Sequence, residues 1–301
     1  MGSTTLKGCG TALATPFRGD GSLDEAAFRR LLRHQIEGGV HFLVPCGTTG
    51  ESPTLTHEET LRVVEMTVAE ARPKGIGVWA GAGGNNTAKV IELAKEYEGL
   101  KVDGILSVAP YYNKPTQEGL YQHFRAIAEA TRLPIIVYNV QGRTGVNVET
   151  STLTRLAAID NIVAVKEASG NITQMAEVCN AMPPGFSVLS GDDAITLPLF
   201  ALGGVGIISV CSNEAPAEMA ALCNAGLRGD FAEARRIHRR LLPLMQINFI
   251  ESNPVPVKAA LAMMGLIEEN YRLPLVPMKP ENKAKLKAVL ESVGLTAYAT
   301  Q

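Results

Sequence analysis

The 301-residue sequence predicts an α/β protein built as a (β/α)8 TIM barrel with a C-terminal helical extension. Three observations indicate this fold. Eight short apolar runs alternate with eight amphipathic segments, the units begin about 20–35 residues apart, and polar, glycine-rich motifs follow the apolar runs. An open doubly wound sheet is the alternative, but eight regular units without a sign of reversed strand order favour a closed barrel.

The apolar runs predict strands that are covered on both faces, as in parallel sheets. In chain order they are GTALATP near residue 10, VHFLVPC from Val40, IGVWAG from Ile76, VDGILSVAP from Val102, PIIVYNV from Pro134, IVAVKEA from Ile162, FSVLSG from Phe186 and VGIISVC from Val205.

Helical patterns lie between these strands, and Asp24 and Thr56 are plausible N-caps for two of them. The predicted helices are 24–37, 57–71, 88–97, 117–130, 148–158, 172–180, 193–202 and 216–225. Beyond residue 230 the pattern is helical only, over 231–249, 255–264 and 281–293. We therefore predict a catalytic barrel over residues 1–228 and a helical extension over 229–301 that packs on it.

Composition excludes several classes of protein. The chain is 46% hydrophobic and carries a formal charge of −2, without a basic cluster, so nucleic acid is not an expected partner. Its five cysteines are scattered, which argues against a disulfide framework or a zinc site and predicts a reducing, cytoplasmic location. An uncharged stretch over 194–213 is interrupted by Pro198 and glycines, and predicts a helix followed by a buried strand instead of a membrane span.

Six polar motifs follow predicted strands at their carboxyl ends, where a barrel builds its active site. They are GTTGES (47–52), PYYNKPTQEG (110–119), YNVQGRTG (138–145), KEASGN (166–171), SGDD (190–193) and SVCSN (209–213). A seventh motif, GAGGNN (81–86), does not fit a dinucleotide site, because the third glycine of GxGxxG falls on Asn86.

Lys166 ends the apolar run VAV. A lysine at a strand end often extends its amine to water, but an amine held in a dry pocket is neutral more readily and can attack a carbonyl.

Tyr138 ends another strand and could relay a proton, although a core tyrosine whose hydroxyl bonds to a backbone carbonyl is the ordinary alternative. Arg143 offers a planar fork for a carboxylate, or a surface ion pair. The turn GTTGES could hold an anion, or simply cap a helix.

Together with GGVGIISVCSN and NPVPVK, these motifs resemble the dihydrodipicolinate synthase family over nearly the whole chain. GTTGE and the lysine strand are shared with the wider pyruvate-dependent class I aldolases, whereas the GRTG arginine and PYYNKP are typical of the synthases. The resemblance implies a homo-oligomer, a tetramer or a dimer, that condenses pyruvate with L-aspartate 4-semialdehyde in lysine and diaminopimelate biosynthesis. It implies no metal and no organic cofactor, because the intermediate is a covalent pyruvate imine on Lys166.

The resemblance also implies roles for individual residues. Lys166 forms the Schiff base and Tyr138 moves protons to and from it. Thr48 links Tyr138 to Tyr112, which comes from a neighbouring subunit. Four further positions are expected to bind substrate: Thr49 holds the pyruvate carboxylate, Arg143 the semialdehyde carboxylate, and Gly191 and Ile208 supply backbone groups to the keto-acid pocket.

The sequence departs from the family pattern at position 141, where it has glutamine and the family usually has proline. Because proline would stiffen the loop that carries Arg143, the first alternative to the synthase is a sibling pyruvate aldolase acting on another aldehyde, as N-acetylneuraminate lyase or 2-keto-3-deoxy sugar acid aldolases do. The second alternative, from a different functional class, is a non-catalytic oligomeric binding protein on the same barrel.

The resemblance further implies an allosteric site for L-lysine at a subunit interface. The corresponding positions are Ser52, Pro53, His57, Thr60, Asn85, Lys89 and Tyr111. Sensitive relatives tend to have histidine in place of Thr60 and glutamate in place of Lys89. The reversed charge at Lys89 would repel the ammonium group of a bound lysine, so weak or absent inhibition is expected. The alternative is that Lys89 points away and the other side chains still hold the effector.

Overall fold

The computed structural model describes residues 6–295, and its strands close into one parallel barrel in which neighbours in sequence are neighbours in space. Pairing of the first strand with the eighth completes the closure. All eight predicted strands are confirmed: β1 (Gly8–Ala12), β2 (Phe42–Val44), β3 (Gly77–Gly81), β4 (Gly104–Val108), β5 (Ile135–Asn139), β6 (Ile162–Glu167), β7 (Ser187–Ser190) and β8 (Gly206–Ser209).

Helices follow the strands around the barrel. They are α1 (Glu25–Glu37), α2 (His57–Ala71), α3 (Thr87–Gly99), α4 (Gln117–Ala130), α5 (Gln141–Thr144), α6 (Thr150–Leu156), α7 (Ile172–Ala181), α8 (Thr196–Ala201), α9 (Pro216–Leu227), α10 (Phe231–Ile247), α11 (Val255–Met263) and α12 (Pro280–Val293).

Both predicted N-caps are confirmed. The Asp24 side chain accepts a hydrogen bond from the backbone N–H of Ala27 at the start of α1. Thr56 and Glu59 form a reciprocal capping box at the start of α2, which satisfies two backbone donors that the first turn leaves unpaired.

Alternation along the strands decides which side chains enter the barrel. In β5, Ile135 and Val137 pack in the layer between strands and helices, whereas Ile136 and Tyr138 belong to the cluster that fills the barrel interior. Because side chains in a strand point alternately to opposite faces, this register directs the functional end of β5 inward.

Three helices differ from the predicted pattern. The four-residue α5 was not predicted, because one turn containing a glycine shows no helical periodicity. A 3-10 turn over Asp193–Ile195 precedes α8, where one continuous helix was expected, and α6 is shorter than predicted at both ends. The uncharged stretch 194–213 forms α8 and β8, as expected, and the described helices include none with the length and apolarity of a membrane span.

The C-terminal helices pack on the barrel's outer layer, with α10 against α9 and α12, and α11 against α12. The predicted boundary at residues 228 and 229 falls between α9 and α10. The extension also reaches the carboxyl end of the barrel: Lys258 of α11 is completely buried and forms an ion pair with Glu51, which lies in the loop after β2. The division into two domains stays a prediction.

Candidate active site

Lys166 and Tyr138 meet inside the carboxyl end of the barrel. They are paired residues on the adjacent strands β6 and β5, and both are almost fully buried. The Lys166 Nζ atom lies 4.1 Å from the centroid of the Tyr138 ring. The structure thus places the predicted amine directly beside the predicted proton carrier.

Burial changes the chemistry of the Lys166 amine. Loss of hydration penalises the ammonium form and lowers the pKa of Lys166 to about 7; the buried Asp193 carboxylate opposes this shift and the Arg143 guanidinium adds to it. A large fraction of the amine is therefore neutral near pH 7, and only the neutral amine has the lone pair that attacks a carbonyl.

Burial acts in the opposite direction on the phenol. It raises the pKa of Tyr138 to about 12, while Arg143 and a hydrogen bond with the Thr48 side chain lower it in part. The phenol therefore keeps its proton at neutral pH and has a hydroxyl neighbour through which that proton can move. This arrangement suits a group that passes protons without becoming a lasting anion.

The loop after β2 places Thr48 and Thr49 at the same end of the barrel. Two backbone hydrogen bonds close its tight turn, from Gly50 N–H to Gly47 O and from Glu51 N–H to Thr48 O, each 3.1 Å long. Glu51 adopts φ +52°, in the left-handed region, as it leaves this turn. Thr49 is buried, and its Oγ1 accepts a hydrogen bond of 3.0 Å from Asn253 Nδ2.

Gly191 lies against Lys166, and Ile208 belongs to the interior cluster that also contains Tyr138. The N–H of Gly191 donates to the carbonyl of Glu167 over 2.8 Å. A Cβ at position 191 would lie 2.6 Å from Ala168 Cβ and 3.1 Å from Lys166 Cε, so a larger residue would collide with Ala168 and press on the lysine side chain. Ile208 is buried in the barrel interior on β8.

Arg143 stands at the mouth of this pocket on α5, largely exposed, and its Nη2 donates to the backbone carbonyl of Asn253 over 3.2 Å. Gln141 occupies the first position of α5. Proline is favoured at that position because its missing N–H has no partner within the helix anyway. The turn forms with glutamine as well, closed by the bond from Gly145 N–H to Gln141 O.

Tyr112 lies apart from this cluster in the segment between β4 and α4. It is 88% exposed, and its φ of +71° is rare for an aromatic residue. Tyr111 beside it is 40% exposed. A single chain therefore holds this predicted relay residue at its surface.

The positions implied for L-lysine binding lie in and beside the loops that follow β2, β3 and β4. His57 Nε2 is 2.9 Å from Glu96 Oε2, and the Thr60 hydroxyl donates to the carbonyl of Thr56. The carbonyl of Asn85 accepts from Asn113 Nδ2, which joins this loop to the tyrosine segment. The exposed side chain of Lys89 projects from the first turn of α3, and Ser52 and Pro53 begin a 3-10 turn.

Sequence reasoning assigned no role to three residues that the structure brings to the site. Asp193, the second aspartate of SGDD, is buried near Lys166 and accepts hydrogen bonds from Ser209 Oγ and the backbone N–H groups of Val210 and Cys211. Asn253 and Lys258, both in NPVPVK, contact the loop after β2. The motifs were visible in the sequence, but their partners lie far away along the chain.

Comparison with known proteins agrees with this geometry. The model of the dihydrodipicolinate synthetase family matches residues 5–293. The 4-hydroxy-tetrahydrodipicolinate synthase of Koribacter versatilis is 58% identical over 98% of each chain. The crystal structure of dihydrodipicolinate synthase from Thermotoga maritima superposes with a TM-score of 0.94 at 47% identity, over 97% of this chain and 99% of that one.

Two other solved structures concern ligand and assembly. The synthase of Acinetobacter baumannii, crystallised in complex with pyruvate, is 43% identical with a TM-score of 0.95, over 97% of this chain and 100% of its own. A monomeric variant of a dihydrodipicolinate synthase is 46% identical with a TM-score of 0.95, over 97% and 98% of the two chains.

Proposed function

Because the chain belongs to the dihydrodipicolinate synthetase family, we propose that it condenses pyruvate with L-aspartate 4-semialdehyde to 4-hydroxy-tetrahydrodipicolinate. The enzyme is a lyase of lysine and diaminopimelate biosynthesis. The observation that carries its mechanism is the buried Lys166 amine, whose pKa is lowered to about 7 beside the Tyr138 phenol.

The reaction begins at Lys166. Its neutral amine attacks the keto carbon of pyruvate, and loss of water leaves an imine conjugated with the carboxylate. Tyr138 supplies the proton that the departing hydroxyl needs and later accepts protons from the intermediates. Removal of a methyl proton gives an enamine, whose carbon attacks the aldehyde of the second substrate. The covalent imine makes a separate cofactor unnecessary.

The neighbouring residues fix the two substrates. Thr49, Gly191 and Ile208 bind the keto acid around Lys166, which agrees with the burial of Thr49 and Ile208 and with the close approach of Gly191 to Lys166. Arg143, exposed at the pocket mouth, binds the carboxylate of the incoming semialdehyde through its planar guanidinium.

Thr48 connects Tyr138 to Tyr112 of a second subunit, so the active form is a homo-oligomer, with a tetramer favoured over a dimer. The 88% exposure of Tyr112 supports this arrangement, because a second chain can cover the ring. A cytoplasmic location fits the five cysteines, all of which carry free thiols.

The decisive experiment is a coupled assay with pyruvate and aspartate semialdehyde, set beside N-acetylmannosamine and sugar aldehydes. We expect turnover with the semialdehyde at least about a hundredfold above the other aldehydes, the discrimination that a paired arginine–carboxylate contact can provide. Preference for a sugar aldehyde would favour the sibling aldolase. In parallel, borohydride with pyruvate should add a lactyl-sized mass to the peptide that contains Lys166; absence of any adduct would favour the non-catalytic binding protein.

A further inference from the structure

Asn253 joins two parts of the proposed site. It lies between α10 and α11 in the C-terminal extension, and it is 5% exposed. Its side-chain Nδ2 donates to Thr49 Oγ1 over 3.0 Å, and its backbone carbonyl accepts from Arg143 Nη2 over 3.2 Å. Asn253 thus contacts both a residue predicted to bind pyruvate and the residue predicted to bind the semialdehyde.

The direction of the bond to Thr49 determines what that hydroxyl can do. A threonine hydroxyl has one hydrogen and two lone pairs, and a carboxylate can only accept. Because Asn253 Nδ2 is itself a donor, it occupies a lone pair of Thr49 Oγ1 and leaves the hydrogen available. The arrangement therefore prepares Thr49 to donate to a bound carboxylate before the substrate arrives.

The side-chain carbonyl oxygen of Asn253 also supports a role at the substrate site. Asn253 Oδ1 is buried and has no hydrogen-bond partner within residues 6–295. A buried hydrogen-bond acceptor without a partner lowers the stability of the fold. An apolar side chain would therefore be more stable at this position if its only role were packing.

We propose that Asn253 is a positioning residue that holds the Thr49 hydroxyl as a donor to the keto-acid carboxylate and, through its backbone carbonyl, holds Arg143 at the mouth of the same pocket. The inference rests on the proposed function, since it takes the bound anion to be the carboxylate of a keto acid captured by Lys166. It gives the C-terminal extension a part in substrate binding that acts through Thr49 and Arg143.

The test is a double-mutant cycle on pyruvate capture. Wild type, Asn253→Ala, Thr49→Val and the double variant are reduced with cyanoborohydride over a range of pyruvate concentrations, and the adduct is measured by mass spectrometry. We expect each single change to raise the half-saturating pyruvate concentration about tenfold, as for one lost hydrogen bond to a charged group. The double variant should be no worse than Thr49→Val, because Asn253 acts through the hydroxyl that this change removes.

The effect of Asn253→Ala on the semialdehyde can be compared with its effect on pyruvate. Asn253→Ala keeps the backbone carbonyl that Arg143 contacts, so the KM for semialdehyde should change less than about twofold, within the range of a surface effect. Asn248→Ala is a matched control: Asn248 is also a buried asparagine of the extension, but it bonds to Glu214. It should alter thermal stability and leave pyruvate saturation as in wild type.

Asn253→Asp covers the case in which alanine prevents folding, because it keeps the shape of the side chain. An ionised aspartate accepts only, so it would take the Thr49 hydrogen, and pyruvate capture should be weaker than in Asn253→Ala. The inference is overturned if Asn253→Asp saturates like wild type, or if the two single effects add in the double variant. Failure of wild type itself to form the adduct would instead overturn the proposed function.

Discussion

At the scale of single residues, burial sets the reactivity of Lys166, and the consequence is a pH dependence of definite sign. Its pKa falls from an ordinary 10.5 to about 7, chiefly through lost hydration. Below pH 7 the amine is protonated and cannot attack, and above pH 7 it is neutral. We expect cyanoborohydride trapping of pyruvate to increase with pH through a midpoint near 7 and then to level off.

The measurement is the initial rate of adduct formation at saturating pyruvate, with Lys166→Arg as the control that forms no adduct. A midpoint near the ordinary lysine value would show that the pocket is wet in solution. An adduct on Lys258 would show that the wrong lysine was chosen.

Arg143 is expected to act on the second substrate. In Arg143→Ala the loss of a charge-assisted contact, typically ~2–3 kcal/mol, should lower kcat/KM for semialdehyde by roughly 30- to 150-fold. Pyruvate trapping at a pH well above 7, where the Lys166 amine is neutral with or without the nearby guanidinium, should stay within about twofold of wild type. The coupled assay and the trapping assay on one preparation separate the two effects; an equal loss in both would mean that Arg143 supports the pocket itself.

At the scale of elements, α11 is joined to the loop after β2 by the ion pair between Lys258 and Glu51. Lys258→Met leaves Glu51 buried without its counter-charge, which typically costs about 3–5 kcal/mol, and the urea midpoint should fall accordingly. Adding Glu51→Gln should restore most of the loss, because a neutral pair of similar volume requires no charge compensation. Lys287→Met, on the exposed face of α12, is the control and should be almost neutral. A Lys258→Met variant as stable as wild type would show that water reaches this pair.

The helices and strands show which structural features can be predicted from a single sequence. Strands such as β5 and β6 were predicted because their periodicity and turn residues are local signals, and the capping box at Thr56 is local as well. The short α5 has too few residues for any periodicity. The contact between Thr49 and Asn253 joins residues 204 positions apart, so only the closed fold reveals it. Signals local in the sequence therefore predicted the strands and the functional residues at their ends. The contacts between residues distant in sequence are visible only in the folded structure.

At the scale of the whole molecule, the proposed role of the exposed Tyr112 in a neighbouring subunit predicts that activity depends on assembly. Tyr112→Phe and Lys166→Arg should each lower activity at least about a hundredfold, because one loses the relay hydroxyl and the other the nucleophile. Oligomers formed by coexpressing both should regain roughly a quarter of the wild-type activity, because half of random dimers are mixed and each mixed dimer has one complete site. The check is steady-state activity of purified mixed oligomers. Mixtures as inactive as their parents would mean that Tyr112 does not act in the neighbouring site.

The expected response to L-lysine is also a property of the assembled molecule, because the implied effector site lies at a subunit interface. Lys89 lies exposed on α3, and a second cation there disfavours a bound lysine ammonium. We expect half-inhibition only above about 1 mM L-lysine, an affinity of roughly 4 kcal/mol or less. Lys89→Glu should increase sensitivity, while Lys95→Glu, elsewhere on the same helix, should not. Inhibition of wild type well below that concentration would show that Lys89 turns away from the effector.

The bond between Thr49 and Asn253 also bears on how the enzyme is made. Thr49 is translated 204 residues before its partner. A nascent chain that ends at residue 228 already contains all eight strands, yet it lacks Asn253 and the lysine that neutralises Glu51. If Asn253 has the proposed role, catalytic competence requires translation to pass residue 253, and shorter products carry Lys166 without the residue that orients Thr49 toward the substrate.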